Sequence, residues 1–364
     1  MYHRKAWRVL HVLRKHTTDK RKTRAKGYSR TGSRSDLYRF GYRQCTAALP
    51  ALAGNNQIES RTMAQKIKHT EYLFDLPKIE DARGNLSFLE EGGDIPFSIA
   101  RIYWIYDVPG GRKRGSHAFK TQHEIIIALS GSFDIVLNDG KEERRYTLNR
   151  SYKALYVPPL MWRHIDNFST NSVCLVISSG SYDPDEYIRN FKQFKQYLKN
   201  DIPNPAIIPQ PHQSVIIPAD IQYSSVEDCN TISLPVIQHN RAGSLTPIHN
   251  SVDIPFDVKR IFFVYDIPYG KKRGIHAHRH CHQFIIAASG SFDIEIDDGN
   301  KKKKVNMNRP TEGIHILPGI WSKEFNYSSG AICLVLASER YTEEDYIRKY
   351  SDYKQLYGNK TSNL

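Results

Sequence analysis

The feature that most constrains the fold is an internal repeat. Residues 101–118 read "RIYWIYDVPGGRKRGSHA" and residues 260–277 read "RIFFVYDIPYGKKRGIHA", at a constant shift of 159 positions. The two copies align without a gap from Asp94 and Asp253 to Tyr187 and Tyr346. Solenoid repeats have periods of roughly 20 to 50 residues, so the repeat indicates a tandem duplication of a whole domain.

A proline-rich segment separates the two copies. Residues 202–218, "IPNPAIIPQPHQSVIIP", contain five prolines, and a proline removes a backbone donor and fixes φ. The segment is therefore predicted to be a stiff linker. The predicted organisation is a leader over residues 1–62, a first domain over 63–201, the linker over 202–218 and a second domain over 219–364.

The positive charge of the chain is concentrated in the leader. Residues 1–62 carry 15 Lys or Arg and three acidic residues, a net +12 of the chain's +14. The leader lacks the apolar core of roughly 7 to 15 residues that a secretory signal needs. It is interpreted as an upstream extension or a disordered tail before Met63, with organelle targeting and nucleic-acid binding as alternatives. The nearly neutral body argues against a nucleic-acid partner, and no run approaches the roughly 18 apolar residues of a membrane span.

Short apolar runs punctuated by turn signals fill each copy. Asp139-Gly140 and Asp298-Gly299 follow strand-like runs, which is a strong hairpin signal. Many short strands predict an all-β sandwich or barrel in each copy. One short helix is predicted at the end of each copy, beginning after Asp183 with Pro184 in its first turn, and after Thr342.

The five cysteines form no pairing pattern. Cys174 and Cys333 occupy equivalent places in apolar runs, where a thiol behaves as a small core residue. Cys45, Cys229 and Cys281 have no CxxC partner. This usage favours a reducing, cytoplasmic setting.

The histidine pattern differs between the copies. Residues 273–284 read "RGIHAHRHCHQF" and residues 114–125 read "RGSHAFKTQHEI", so Phe119 stands where the second copy has His278. Alternate residues of a strand face the same side, which places His276 and His278 together. His280 and His282 are predicted to lie in a loop or at the rim, because the strand must bulge or turn before Gln283.

This spacing resembles the first motif of the cupin superfamily, whose members are jelly rolls. The pattern is HxH, three or four residues, Glu, six residues, Gly; here its Glu position is held by Glu124 in the first copy and by Gln283 in the second, and it ends in Gly131 and Gly290. Metal cupins take a further ligand from a second motif, where these copies have Arg163 and Ser322. His164 and Glu324 lie nearby but out of register. Without a full set of ligands, we expect no metal, and a metal-dependent cupin oxygenase is kept as an alternative.

A closer resemblance covers nearly all of residues 70–357, twice. The block from Arg260 to Gly299, the "LPGIW" stretch and "YIRKY" are similar to the WxcM-like sugar 3,4-ketoisomerases, which have RmlC-like jelly-roll domains. The resemblance implies an isomerase of thymidine diphosphate-linked 4-keto-6-deoxyhexoses in deoxyamino-sugar and surface polysaccharide biosynthesis. It also implies dimers that exchange strands, so we expect a pseudo-dimer within the chain or a homodimer.

The chemistry that this implies needs two acid-base groups and no cofactor. A base removes the hydrogen on carbon 3, which the neighbouring ketone acidifies, and an acid returns a proton to carbon 4. Histidine suits both roles near neutral pH. The resemblance assigns catalysis to His276, His278 and Tyr265, and substrate binding to Arg260, Arg273, Gln283 and Trp321. The first-copy counterparts are His117, Tyr106, Arg101, Arg114, Glu124 and Trp162.

Several alternatives stay open at this point. Tyr265 and Trp321 could instead be packed core aromatics, and the arginines solvated charges at strand ends. The chain could be a 3,5-epimerase of the same substrates or a non-catalytic module that binds sugar nucleotides. The first copy, which lacks the second histidine, could be a degenerate structural partner, an active domain with altered acid-base roles, or a regulatory binding domain.

Overall fold

The computed structural model describes residues 70–200, 224–239 and 241–358. They belong to one unit that spans Leu52–Leu364. The predicted leader and linker lie outside the described residues, and the domain boundaries therefore stay predictions. No helix among the described residues is long and apolar enough to cross a membrane.

Within the described residues, each copy folds into twelve strands and ends in one short helix. The strands of the first copy are β1 Tyr72–Asp75, β2 Lys78–Asp81, β3 Gly84–Glu90, β4 Arg101–Tyr106, β5 Arg114–Phe119, β6 Glu124–Ser130, β7 Phe133–Asn138, β8 Glu143–Leu148, β9 Lys153–Val157, β10 Trp162–Asp166, β11 Val173–Ser178 and β12 Tyr187–Ile188, followed by helix α1 Phe191–Lys199. Those of the second copy are β13 Thr231–Ser233, β14 Ile237–His239, β15 Gly243–His249, β16 Arg260–Tyr265, β17 Arg273–His278, β18 Gln283–Ser289, β19 Phe292–Asp297, β20 Lys302–Met307, β21 Glu312–Ile316, β22 Trp321–Phe325, β23 Ile332–Ala337 and β24 Tyr346–Ile347, followed by helix α2 Tyr350–Tyr357.

The strands form two pairs of antiparallel sheets. One seven-stranded sheet has the order β1-β9-β6-β11-β4-β15-β14 and faces a five-stranded sheet of order β12-β5-β10-β7-β8. The other pair has the orders β13-β21-β18-β23-β16-β3-β2 and β20-β19-β22-β17-β24. Apolar side chains fill the space between the two sheets of each pair. The prediction of two tandem all-β domains, each ending in a short helix, is confirmed.

The two copies exchange strands. Strand β3 of the first copy pairs along its length with β16 of the second, from Glu90 opposite Arg260 to Asn85 opposite Tyr265. In return, β15 of the second copy pairs with β4 of the first. Each seven-stranded sheet therefore contains an outer hairpin that belongs to the other copy. This is the pseudo-dimer that the family resemblance implied, built within one chain.

The largest apolar core is built from both copies. It includes fully buried residues on the exchanged strands, such as Leu89 and Ile248, together with Trp104 and Phe263 on the strands that receive them. The cysteines at 174, 229, 281 and 333 are all buried and free. Because this core takes apolar side chains from both halves of the chain, its burial stabilises the two copies jointly.

The end of each copy differs from the single helix predicted after Asp183 and Thr342. Asp183 does cap a turn, but that turn is a short 3-10 helix over Pro184–Glu186, and α1 starts only after Asn190. The side chain of Thr342 caps nothing. Tyr187–Ile188 and Tyr346–Ile347 lie between the two helical pieces because they pair with β5 and β17. A helix through these residues would break those strand pairs.

We expect the exchange to hold the two halves together without the linker. If a protease site is inserted between residues 202 and 218 and cleaved, the halves should still elute together at the size of the intact chain. The reason is that separation would expose two sheet edges and a large apolar core. Size-exclusion chromatography with light scattering measures this, and the recovery of two separate half-size species would contradict it.

His280 and His282, both predicted at the loop or rim, differ in burial. His280 is exposed in the turn between β17 and β18, as predicted. His282 also lies in this loop, as predicted, but its side chain is buried in the core rather than at the rim, and its Nδ1 is 3.0 Å from Nε2 of His315. The first copy has His123 and Tyr156 at these places, joined at 2.6 Å.

This buried pair predicts acid sensitivity. Burial lowers the pKa of His282 and of His315 to about 4, whereas an unfolded histidine has a pKa of about 6.5. The unfolded chain therefore binds more protons between these values, and the free energy of unfolding falls as the pH falls from about 6.5 to about 4. His315→Tyr, which copies the pairing of the first copy, should reduce that fall by on the order of 1–3 kcal/mol. Urea unfolding at pH 7 and pH 4.5 measures it, with exposed His280→Gln as control, and an unchanged pH dependence in His315→Tyr would refute it.

Candidate active site

Two histidines lie side by side inside the second barrel. His276 and His278 alternate along β17, so both face the interior, and their Nε2 atoms are 3.1 Å apart. Their rings meet edge to face, with centroids 4.8 Å apart. Ile275 precedes His276, and Ala277 lies between the two histidines. Both face the other side of the strand. The period of two in the strand thus positions the pair.

Asp345 and Gln283 fix the proton positions on the pair. Asp345 Oδ2 accepts a hydrogen bond of 2.6 Å from Nδ1 of His278, so His278 carries its proton on Nδ1. The side-chain amide of Gln283 donates to Nε2 of His278 at 3.1 Å. His278 Nε2 is therefore an acceptor, and His276 must point an Nε2–H group towards it.

Both histidines are neutral at neutral pH. Burial lowers the pKa of His276 well below its usual value, and the charges of His278, Arg348 and Arg260 lower it further. Burial also lowers the pKa of His278, although the hydrogen bond to Asp345 opposes this. Burial alone would raise the pKa of Asp345, but the bond from His278 brings it below its usual value. The result is a base, His278, with an anionic carboxylate behind it.

Aromatic and cationic side chains surround the pair at the end of the barrel. The ring of Tyr346 lies 4.9 Å from His276 and 4.4 Å from His278. The guanidinium of Arg260 lies over the ring of Phe262, and its Nε is buried without a hydrogen-bond partner in the part of the chain that the structure describes. Arg260 thus keeps donor capacity beside the histidines, which suits an anionic ligand.

The equivalent place in the first barrel is filled by an ion pair. Arg163, at the position of Ser322, donates from Nε to Glu124 at 2.6 Å and from a terminal nitrogen to the other oxygen at 2.8 Å. The hydroxyl of Tyr103 joins the same network, donating to Glu124 at 2.6 Å. All three side chains are buried. Such a two-pronged buried pair is strong and costly to break.

His117, the counterpart of His276, has no hydrogen-bonded base beside it among the described residues. His117 Nε2 is buried without a partner, and its ring packs against Phe119 and Tyr187. Burial lowers the pKa of His117 well below its usual value, and Arg163 adds to the effect. Glu186, at the position of Asp345, bonds instead to Thr121. The relay of the second barrel is therefore absent from the described part of the first.

Comparison with known proteins assigns both copies to one family. A family model described as "WxcM-like, C-terminal" (FdtA) matches residues 69–199 and again 227–358. The chain belongs to this family. It carries the WxcM-like domain twice, and the site described above lies in the second of the two.

Individual relatives match one copy each. TDP-4-oxo-6-deoxy-alpha-D-glucose-3,4-oxoisomerase of Aneurinibacillus thermoaerophilus is 39% identical over 126 residues, which cover 35% of this chain and 91% of the relative. Among solved structures, the sugar 3,4-ketoisomerase QdtA of Thermoanaerobacterium thermosaccharolyticum in complex with TDP is 34% identical, covering 38% of this chain and 100% of that chain with a TM-score of 0.37. A 3,4-ketoisomerase from Helicobacter canadensis is 37% identical, covering 36% and 100% with a TM-score of 0.36.

The structure brings together most, but not all, of the residues predicted for the site of this WxcM-like chain. His276, His278, Gln283 and Arg260 meet as described. Tyr265 does not join them, because it lies on the opposite face of β16, in the core between the copies, where its hydroxyl is 3.1 Å from that of Ser87. Its first-copy counterpart Tyr106 likewise pairs with Thr246. A direct catalytic role for Tyr265 is not supported by this placement.

Two further predicted substrate-binding residues have structural partners. Arg273 forms an ion pair with Asp81 of the exchanged hairpin, at 3.1 Å, so it is not a free cation for a diphosphate. Trp321 packs on the outer side of β22 against Tyr350 and Tyr353 of α2. The first-copy counterparts of these residues are Arg114, which is half-buried, and Trp162, which packs against Phe191 and Phe194 of α1. Arg101 bonds to Tyr187 and Gln122.

Sequence reasoning missed Asp345. It was assigned to the start of a helix, and it lies 67 positions from the histidine that it contacts. The signal was present in "TEEDYIRKY", where the acid directly precedes the short strand β24. That strand pairs with β17, with Tyr346 opposite His278, which brings Asp345 to the histidine pair.

One group of described residues has metal-ligand types close together. Ligand atoms of His278, Cys281 and Asp345 lie within 4.8 Å of one another. His278 and Asp345 are already hydrogen-bonded to each other, and the thiol of Cys281 donates to the carbonyl of His282. His164, in the first copy, faces outward beside Lys113 and Asp166. A metal-free site stays a prediction.

Proposed function

We propose that the chain is a sugar-nucleotide 3,4-ketoisomerase whose second copy is catalytic. Its substrate is a nucleotide-linked 4-keto-6-deoxyhexose, carried by thymidine diphosphate, and the ketone moves from carbon 4 to carbon 3. The proposal places the protein in the cytoplasm and in deoxyamino-sugar and surface polysaccharide biosynthesis. It needs no cofactor.

The observation that carries the proposal is the directed relay of Asp345, His278 and His276. Neutral His278 offers a lone pair on Nε2 and has a carboxylate on Nδ1 that stabilises the imidazolium formed when it takes a proton. Neutral His276 offers an Nε2–H group 3.1 Å away. A base and an acid thus lie side by side, as a reaction at two adjacent carbons requires. The relative from Aneurinibacillus, whose name states this reaction, supports the assignment.

The reaction is a rearrangement of protons. The base takes the proton of carbon 3, the electrons of that bond form a double bond to carbon 4, and oxygen 4 gains a proton to give the enediol. Oxygen 3 then loses its proton to re-form a carbonyl, and carbon 4 gains one. Two protons leave and two are added with no net oxidation, so a redox partner is not required.

We assign the base to His278 and the proton-carrying acid to His276. His278 is the acceptor in every hydrogen bond at Nε2, while Asp345 holds its tautomer and supports its protonated form. Asp345 is therefore a positioning residue that acts through His278. Arg260, with donor capacity beside the pair, is assigned to the substrate's anionic part.

The first copy is proposed to be a structural partner without turnover. Phe119 replaces the base, and Arg163 with Glu124 fills the barrel beside His117. Its exchanged hairpin β2–β3 completes the large sheet of the second copy. One competent site per chain is the consequence.

The reaction itself is tested by NMR of the sugar ring. Mixing the protein with TDP-4-keto-6-deoxyglucose in deuterated water should convert it to a 3-keto sugar, with solvent deuterium at carbon 4. Deuterium at carbon 5 would indicate a 3,5-epimerase instead. Binding of TDP without conversion, beside a working isomerase as control, would indicate a binding module and defeat the proposal.

The two copies provide matched variants for the catalytic residues. His278→Asn should lower turnover by about a hundredfold or more, because a positioned proton-transfer group contributes a factor of about 10²–10⁴ to the rate. The affinity for TDP should stay within about twofold of the wild-type value. His117→Asn, at the position of His276 in the first copy, should leave turnover nearly unchanged. Steady-state kinetics and calorimetry measure both effects, and a large loss in His117→Asn would show that the first barrel takes part.

Restoring the missing histidine alone is expected to fail. In a His278→Asn background, Phe119→His should recover no turnover, because Arg163 and Glu124 still occupy the barrel and Glu186 is held by Thr121. The same NMR assay measures the turnover of this double variant. Recovery of turnover by this single change would show that the ion pair does not block the first site.

A further inference from the structure

The second barrel contains a buried acid that the proposed reaction does not yet use. Glu324, in β22, is only 6% exposed. Its carboxylate lies against Gly274, which has a φ of +58°, and a Cβ at that glycine would be 2.1 Å from Glu324 Oε2. Glycine is thus required at 274 both by the backbone and by the acid.

Among the residues that the structure describes, no other side chain forms a hydrogen bond or ion pair with this carboxylate, which contacts only its own backbone N–H. Arg273, which lies opposite Glu324 in the strand register, directs its charge to Asp81 instead. The other titratable groups near it are Tyr327, which is partly buried, and Cys333, which is buried. Burial raises the pKa of Glu324 to about 7, although Arg273 opposes the rise. A buried polar group left unpaired in a folded protein calls for an explanation.

The acid faces the same interior as the histidine pair. Ser322 and Glu324 are two residues apart on β22 and share a face, while Trp321 faces α2 on the other side. Ser322 lies opposite His276 and donates to the carbonyl of Gly274 at 3.2 Å. Glu324 therefore lies on the same wall of the barrel as the histidines, one inward-facing position beyond Ser322 along β22.

The first barrel lacks this acid. Ile165 takes the place of Glu324, fully buried in an apolar core, and Phe168 takes the place of Tyr327. The guanidinium of Arg163 reaches the carbonyl of Gly115 and spans the interior, where the second copy has only Ser322. The buried acid thus occurs in the copy with the histidine pair, and the copy without that pair is apolar at this depth.

We propose that Glu324 is a substrate-contacting residue, which hydrogen-bonds a hydroxyl of the hexose at the deep end of the second barrel. The inference rests on the proposed function and extends it to the sugar side of the substrate. The hexose enters between the histidines and Glu324, past Ser322. Its hydroxyl then forms with Glu324 the hydrogen bond that no other side chain in the described part of the protein forms. The nucleotide, in contrast, does not contact Glu324.

An acid held for a ligand costs stability in the free protein. Replacing an unpaired buried carboxyl by an apolar or neutral side chain removes that cost, so removal of such a group raises stability while it lowers function. An acid with a structural role behaves in the opposite way. Stability and affinity together therefore separate the two roles.

The test uses Glu324→Gln and Glu324→Ile in the full chain. Glu324→Ile should raise KM by about tenfold or more, since a site built for a hydroxyl loses its specific contact, and Glu324→Gln should lose less. Neither variant should melt at a lower temperature than wild type. Ile165→Val, in the first copy, is the control for a change at the equivalent place.

Calorimetry keeps the test independent of turnover. The ratio of the affinities for TDP-glucose and TDP should fall in Glu324→Ile, while the affinity for TDP itself stays unchanged. An unchanged ratio, or a loss of melting temperature that accompanies the loss of affinity, would overturn the inference. If wild type fails to convert the keto sugar, the proposed function fails, and this ratio still decides the role of Glu324.

Discussion

The exchange of strands between the copies is the constraint on which the rest of the structure depends. Strand β3 completes the sheet of the second copy and β15 that of the first. The core between the large sheets takes its apolar residues from both halves. A copy that lost its chemistry would still be needed, because without it the other copy would have an open sheet edge and an exposed core. The fold thus explains why a barrel without the histidine pair is kept.

Within this shared frame, a few interior positions set the two barrels apart. In the second, His278 and Gln283 are hydrogen-bonded neutral side chains, and His278 in turn bonds to Asp345, while Ser322 bonds to the backbone carbonyl of Gly274. In the first, Phe119, Glu124 and Arg163 occupy the same positions, and Glu124 and Arg163 form a closed ion pair beside Phe119. Charges that satisfy one another stabilise a barrel but have little left to offer a ligand. Neutral histidine side chains that keep a lone pair and an N–H group remain available for proton transfer.

The sequence predicted what depends on short-range periodicity. The repeat, the strands, the glycine turns and the common face of His276 and His278 follow from spacings of a few residues, and the strand exchange followed from the family resemblance. What it missed depends on contacts between distant segments. Asp345 reaches His278 through the pairing of β24 with β17, Arg273 meets Asp81 across 192 positions, and Tyr265 faces the interface rather than the barrel. Tyr265 was assigned to the site by the family resemblance, and the apolar pattern of its strand could not correct this, because the pattern of a strand that is buried on both sides does not show which face points to which core.

Fusion in one chain has a physical consequence for the chemistry. In a symmetric dimer of identical chains, every substitution appears in both barrels, so an unpaired acid such as Glu324 would burden both. Here the first barrel has Ile165 at that position and a closed ion pair above it, and both features favour stability. The second barrel holds the buried histidines and the unpaired acid, which are unfavourable in the free protein. Because the exchanged strands join the two cores, the barrel with the closed ion pair can support the barrel with the histidine pair, and under the proposed function stability and catalysis are divided between two copies of one domain.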